Sequence, residues 1–418
     1  MKVLLVSTSD LEGGAARSTY RLLQGLKRIQ ADAQLLVQMK ESSDRSVIGA
    51  KSTSGIANVK SGIRLTLDHL LPKFYRHSTG SDFSPQWLPG TILNSVSSIN
   101  PDVINLHWIQ NGYIQIEALK QLKKPIVWTL HDMWAFTGGC HYTEDCTRYL
   151  SSCGQCPQLG SHQAWDMSRW NWQRKAATWS KLNLTIATPS RWLADCARSS
   201  SLLREVRVEW IPYGIDTEHY KPFDRTIARQ ILGLSQDKKL ILCGALGATS
   251  QKRKGFHLLQ AALQSLGEWR DRAEVIIFGA NEPENPPDLG LKSRYLGTLG
   301  DDYTLALVYS AADVFVAPSL QDNLPNTVIE SLACGTPAIG FNIGGFPDLI
   351  EHQQNGYLAQ AYDVDDLAQG IVWILEDAAR QQQLSDRARE KAEQEFTLER
   401  QAQQYQALYA ELVGVKAV

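Results

Sequence analysis

Two carboxylates separated by seven residues mark one stretch of this chain for chemistry: Asp322 and Glu330, in the run DNLPNTVIE. The stretch follows Asp313–Ser319 (DVFVAPS), an apolar run of strand composition, and continues as SLACGTPAIGF. Asn326, after Pro325, is expected to cap a helix there. Asp322 would then stand in the turn ahead of the helix, and Glu330 about one turn inside it. The N–H groups of the first turn would lie between them. Carboxylates accept hydrogen bonds from hydroxyls, and a helix N-terminus favours an anion. A ligand with several hydroxyls and a diphosphate suits this arrangement. The same residues also fit a plain strand–turn–helix with a cap and one exposed Glu.

Other groups could do related work. Lys252-Arg253-Lys254-Gly255 lies between the apolar run Lys239–Ala245 and a helix beginning near Gly255. Three cations at a strand's carboxyl end can neutralise a departing diphosphate, or form a solvated charge run. Gly13-Gly14-Ala15 follows the first apolar run. Small residues let a backbone approach a ligand closely and the next helix N-terminus receive a phosphate, or they simply make a tight turn. The pattern is not G-x-G-x-x-G, and the chain has no P-loop motif. His131-Asp132 ends the run Ile126–Asp132. A neutral imidazole there can accept from a hydroxyl, or the His can be held at the strand end by Asp132.

Cys140, Cys146, Cys153 and Cys156 form a compact group whose C-x2-C half is typical of zinc. They fit either a structural zinc in an inserted loop of about 138–160 or four free thiols. Asp363-Val364-Asp365-Asp366 contains a D-x-D, but it heads a helical run and reads better as an N-cap with first-turn acids.

The elements that must position these groups alternate. Lys2–Thr8, Ala33–Met39, Asp102–Trp108, Ile126–Asp132, Leu182–Pro189 and Val206–Pro212 are strand-like runs with helical segments interspersed. The pattern restarts at Lys239–Ala245 and continues with Glu274–Gly279, Arg294–Leu299, Asp313–Ser319 and Pro337–Phe341. Such order predicts two doubly wound, mainly parallel sheets, with ligands outside the carboxyl ends of strands. Helices are expected at about Val364–Glu376 and Ala379–Phe396, followed by a last helix with an apolar stripe at Tyr405, Leu408, Tyr409 and Leu412.

Taken with PSRWLAD, PYGID and ACGTP, these motifs resemble family 4 of the retaining glycosyltransferases over nearly the whole chain, with Asp322 in place of the first Glu of an E-x7-E signature. The resemblance implies an α/β fold of GT-B type: two Rossmann-like lobes facing a deep cleft, and a C-terminal helix crossing back to the first lobe. The domains would be 1–213, 214–395 and the returning helix 396–418. Glu330 would hold the ribose of a nucleotide sugar. Asp322 and the N–H groups of Asn323 and Leu324 would hold the transferred sugar, with His131 close to it. Gly13, Gly14, Ala15, Arg253, Lys254, Leu299, Asn326 and Thr327 complete the implied donor-binding set. Many members carry an Arg where this chain has Ala245, which leaves the diphosphate to Arg253 and Lys254.

The implied reaction moves a hexose from the donor to a hydroxyl with retention, by a front-face route that needs no metal or other cofactor. Family frequency favours UDP-glucose. The loop after HDMWAFTGG looks like that of bacterial exopolysaccharide and colanic-acid-type enzymes, so the implied acceptor is a glycan or lipid-linked precursor. Trp165, Trp170, Trp172 and Trp179 could stack on sugar rings or touch the inner membrane surface, although the seven-residue spacing of Trp172 and Trp179 suits helix packing. A nucleotide-sugar epimerase of the same architecture and a non-catalytic nucleotide-sugar sensor remain open.

Composition narrows the field. Hydrophobic residues at 43% and charged residues at 21%, with a net charge of −2, describe a globular chain without a basic face for nucleic acid. The opening MKVLLVSTSD reads as a buried strand rather than a signal peptide. No apolar run approaches the roughly 20 residues of a membrane span. A cytoplasmic protein without disulfides is expected, with at most a peripheral membrane contact.

Overall fold

The computed structural model describes residues 1–49, 63–64, 66–68, 70–75, 82–244, 247 and 251–415. The chain divides into two compact units: Met1–Pro212 with Gln401–Val418, and Tyr213–Arg400.

The first unit is built on β1 (Lys2–Ser9), β2 (Asp32–Met39), β3 (Val47–Gly49), β4 (Val103–Leu106), β5 (Ile126–Thr129), β6 (Leu184–Thr188) and β7 (Arg207–Trp210). Among the described residues these form one sheet in the order β3-β2-β1-β4-β5-β6-β7, with every pairing parallel. The central strands are near-continuous apolar runs because helices cover both faces of a parallel sheet. The order turns back at β1 and β4, so the carboxyl ends of these strands flank the crevice where such sheets receive ligands.

Three tryptophans fill one side of this sheet. The Trp128 ring centroid lies 5.1 Å from that of Trp179 and 6.1 Å from that of Trp134. Each indole N–H donates to a carbonyl: Trp128 to His107, Trp134 to Ser84 and Trp179 to Ala135. Burial of a large ring is thereby achieved without stranding its polar atom.

The last helix, Leu398–Val413, closes the other side. Tyr405 and Tyr409, one turn apart, are fully buried. Asn105 Nδ2 donates to Tyr409 Oη at 2.6 Å, and Thr129 Oγ1 lies 2.8 Å from Tyr405 Oη. The predicted apolar stripe thus carries two phenols whose partners are polar residues on β4 and β5.

The second unit holds β8 (Lys239–Gly244), β9 (Ala273–Phe278), β10 (Lys292–Tyr295), β11 (Val314–Ala317), β12 (Ala338–Phe341) and β13 (Gly356–Ala359). Its sheet is also parallel, in the order β10-β9-β8-β11-β12-β13. Here the order turns back between β8 and β11.

Two strands went unforeseen, β3 and β13; both lie at sheet edges and are too short to show a period. The expected strand through Leu299 ends at Tyr295. Gly297, at φ +69°, leaves the extended region, and Leu299 lies in the loop beyond, partly buried against the unit's core.

Candidate functional site

In the second unit, β11 leads through a turn to the helix Asn326–Ala333. Pro325 occupies the N-cap position with φ −66° and ψ 117°, and no side chain caps the helix. This corrects the expected Asn326 cap: the proline ring already holds the extended entry angle, and Asn326 becomes the first helical residue.

Asp322, in the turn, is buried. Its Oδ2 accepts from Lys254 Nζ at 2.8 Å, and Arg253 Nη1 and Ser319 Oγ each lie 3.4 Å away. Arg253 also donates to the Gln321 carbonyl at 2.8 Å, and its own carbonyl accepts from the Leu320 N–H at 2.7 Å. Burial pushes the Asp322 carboxyl up, but Lys254 and Arg253 outweigh it, and the group stays below the ordinary carboxylate range. The basic loop after β8 and the acidic turn after β11 meet because those strands are neighbours.

Glycine makes the meeting possible. Gly255 has φ +69°, and a Cβ there would lie 1.8 Å from the Pro318 carbonyl oxygen. Lys254, Ser319, Pro325 and Thr327 line a cavity of about 20 Å³ at the carboxyl ends of β8 and β11. Asn323 and Leu324 are buried in the same turn. A larger cavity, about 520 Å³, lies at the other end of the helix, beside Cys334, Gly335 and Arg389.

Glu330 is not the exposed side chain of the plainer reading. It is 3% exposed, and its Oε2 accepts from Tyr309 Oη at 2.9 Å. Tyr309 comes from the helix Asp302–Ala311 and was missed in the sequence. Its signal was a lone phenol in the apolar run TLALVYSAA, since a buried Tyr needs a polar partner. Asp363 accepts from the N–H groups of Asp365 and Asp366 as the expected N-cap. Ala245 lies outside the described residues.

In the first unit, Gly13 opens the helix Gly13–Arg28 at φ +88°, followed by Gly14 and Ala15. A Cβ on Gly13 would meet nothing within 4 Å, so the backbone angle and not space calls for glycine. The loop before it is braced by Asp10, whose carboxylate accepts from the N–H groups of Glu41 and Ser42.

His131 lies just beyond β5, and its Nε2 is 3.0 Å from His107 Nδ1, just beyond β4. Burial draws the His131 pKa down to about 4, partly opposed by Asp132, so the imidazole is neutral near pH 7. His107 was not foreseen as a site residue, although the runs DVINLHW and IVWTLHD end alike. Asp132 accepts from His141 Nδ1 at 2.6 Å, Trp108 Nε1 at 3.0 Å and the Trp134 N–H at 2.9 Å.

Cys140, Cys146, Cys153 and Cys156 are free thiols, and no three or more His, Cys, Asp or Glu among the described residues are disposed to hold a metal ion. Cys140 and Cys156 pack with Phe83 and Leu159 in a small apolar cluster. Burial pushes the Cys156 thiol up to about 11 and Cys153 up to about 12. Lys175 is fully buried nearby: its ammonium donates to the carbonyls of Trp134 and Thr137 and lies 3.5 Å from the Trp134 ring centroid.

The sequence matches the family described as Glycosyltransferase Family 4 over residues 12–219 and that described as Glycosyl transferases group 1 over residues 237–377. A D-inositol 3-phosphate glycosyltransferase from Kribbella flavida is 30% identical over 330 residues, covering 74% of this chain and 70% of that protein. A lipopolysaccharide core biosynthesis mannosyltransferase, LpsB from Rhizobium meliloti, is 27% identical over 254 residues, covering 58% of this chain and 70% of its own. Among solved structures, Anabaena HepE in complex with UDP-glucose aligns over 99% of each chain, with a TM-score of 0.64 at 18% identity. That likeness establishes the fold: the two parallel-sheet units are those of the GT-B class.

Proposed function

The chain belongs to glycosyltransferase family 4, and on that premise we propose that this enzyme transfers a hexose, with retention, from a nucleoside diphosphate sugar to a hydroxyl of a glycan or lipid-linked glycan precursor. UDP-glucose is the proposed donor; the HepE complex supports a UDP-sugar in this fold. The observation that carries the reading is the union of Asp322, Lys254 and Arg253 ahead of the helix that bears Glu330.

Each group has a part. Ionised Asp322 is acceptor-only and takes hydroxyls of the transferred sugar. Lys254, Arg253 and the N-terminus of the helix Asn326–Ala333 offset charge that grows on the diphosphate as the bond from the anomeric carbon to the leaving oxygen breaks. The acceptor oxygen bonds to the same face of that carbon, and its proton passes to the leaving phosphate oxygen. Glu330, with one oxygen taken by Tyr309, accepts from the ribose. Neutral His131 is assigned to a sugar hydroxyl.

Slow donor hydrolysis tests this without knowledge of the acceptor. Incubated with a panel of nucleotide sugars, the protein should release UDP from UDP-glucose, and Asp322→Asn should abolish the release. Conversion of the donor to its epimer, or tight UDP-sugar binding with no release under any condition, would overturn the assignment.

A further inference from the structure

The stretch between Ile63 and Phe74 wears its amphipathicity inside out. The described residues 63–64, 66–68 and 70–73 are helical, and Ile63, Leu67, Leu70 and Phe74 recur at helical spacing. All four are exposed, Phe74 to 79%. The inward positions include a cation, a carboxylate and a proline, with Leu71 half-buried. Arg64 donates to the carbonyls of Pro89 and Gly112, Asp68 accepts from the Trp87 N–H, and Pro72 is buried. A helix covered by water places its residues the other way round.

A second segment extends this apolar face. The Met167 N–H donates to Tyr75 Oη at 3.0 Å, and both residues pack on the same small cluster. That contact brings the turn bearing Trp165, 71% exposed, up to the end of the stripe. The charges are one-sided. Lys73 is exposed, and Arg169 lies 5.9 Å from the Trp165 ring centroid. The carboxylates of these two segments, Asp68 and Asp166, are turned inward and buried.

We propose that the face formed by Ile63, Leu67, Leu70, Phe74 and Trp165 docks on an anionic lipid bilayer. Aliphatic side chains and tryptophan at the interfacial level, with Lys73 and Arg169 beside them, fit lipid headgroups and the first acyl carbons. None of the described helices is long and apolar enough to cross a membrane, so the contact is peripheral. The inference deepens the lipid-linked acceptor proposed above, but docking needs no sugar donor, so either idea can fail alone.

Cosedimentation of the full chain with phosphatidylglycerol–phosphatidylcholine vesicles tests it. The protein should bind these vesicles, bind pure phosphatidylcholine at least several-fold more weakly, and lose affinity in high salt. Leu67→Glu with Phe74→Glu should lower the partition coefficient at least tenfold while leaving UDP-glucose hydrolysis unchanged. Should that pair disturb folding, Trp165→Ala at an exposed site should lower it several-fold and reduce fluorescence quenching by brominated lipid. Absence of binding to anionic vesicles at lipid excess overturns the proposal. So does equal binding by all variants, or light scattering that shows a dimer which Leu67→Glu with Phe74→Glu converts to a monomer.

Discussion

Lys254 Nζ stands 2.8 Å from Asp322 Oδ2, a contact between loops 68 residues apart that follow two adjacent strands. The pair joins the group assigned to the diphosphate to the group assigned to the sugar, so neither charge can be altered without consequence for the other.

Removing the cation should weaken nucleotide binding. Lys254→Met is expected to raise the dissociation constant of UDP about tenfold, about 1.4 kcal/mol, with the gap narrowing as salt is added. Asp322→Asn should leave UDP affinity equal or tighter, because Lys254 and Arg253 lose a competing carboxylate, while transfer is lost. Calorimetric titration distinguishes the two, and an unchanged UDP affinity in Lys254→Met at low salt would remove it from the diphosphate site.

Glu330 and Tyr309 should separate binding from stability. Glu330→Ala should weaken UDP binding ten- to a hundredfold, the loss of hydrogen bonds to a charged group worth about 1.5–3 kcal/mol. Tyr309→Phe leaves a buried carboxylate short of a donor and should lower unfolding stability by about 1–3 kcal/mol with a smaller effect on UDP. The reverse order, in denaturation and binding measured side by side, would make Glu330 a structural residue.

His131→Ala should reduce turnover more than UDP affinity. With its pKa drawn down to about 4, His131 is neutral throughout the usual assay range, and its protonation should produce no inflection near pH 6.5. For stability the sign follows from the unfolded chain holding the proton more tightly. This contribution is complete above about pH 6.5 and is lost as pH falls toward 4. A rate profile with an inflection near 6.5 that vanishes in His131→Ala would contradict the neutral imidazole.

Lys175 supplies a pH signature on the alkaline side. Burial pulls its pKa down to about 7 from an ordinary value of 10.5. The unfolded state therefore binds more protons between these values, and stability should rise with pH across that window. The raised cysteine thiols act oppositely, but only from about pH 9 upward. Urea midpoints between pH 7 and 8.5 should climb in the native chain and flatten in Lys175→Met. Parallel slopes would mean that Lys175 keeps an ordinary pKa.

Local order was legible in the residues themselves. A strand covered on both faces must be an apolar run, so LLVST, IVWTL and VFVAP could be read as parallel strands, and the loop after each as lying at a carboxyl end. The same locality made Asp363 readable as a cap and Tyr405–Tyr409 as a buried stripe. Who meets whom was not local. Asp322 reaches Lys254 because β8 lies beside β11, and His131 meets His107 because β5 lies beside β4. Glu330 finds Tyr309 through the packing of two helices, and Cys140 and Cys156 come together with Phe83 and Leu159 in one apolar cluster. Even the direction of the Ile63–Phe74 stripe was undetermined by its spacing, since the period is the same whichever face turns inward. Only the anchors of Arg64 and Asp68 decide it, through hydrogen bonds to residues 19 to 48 positions away.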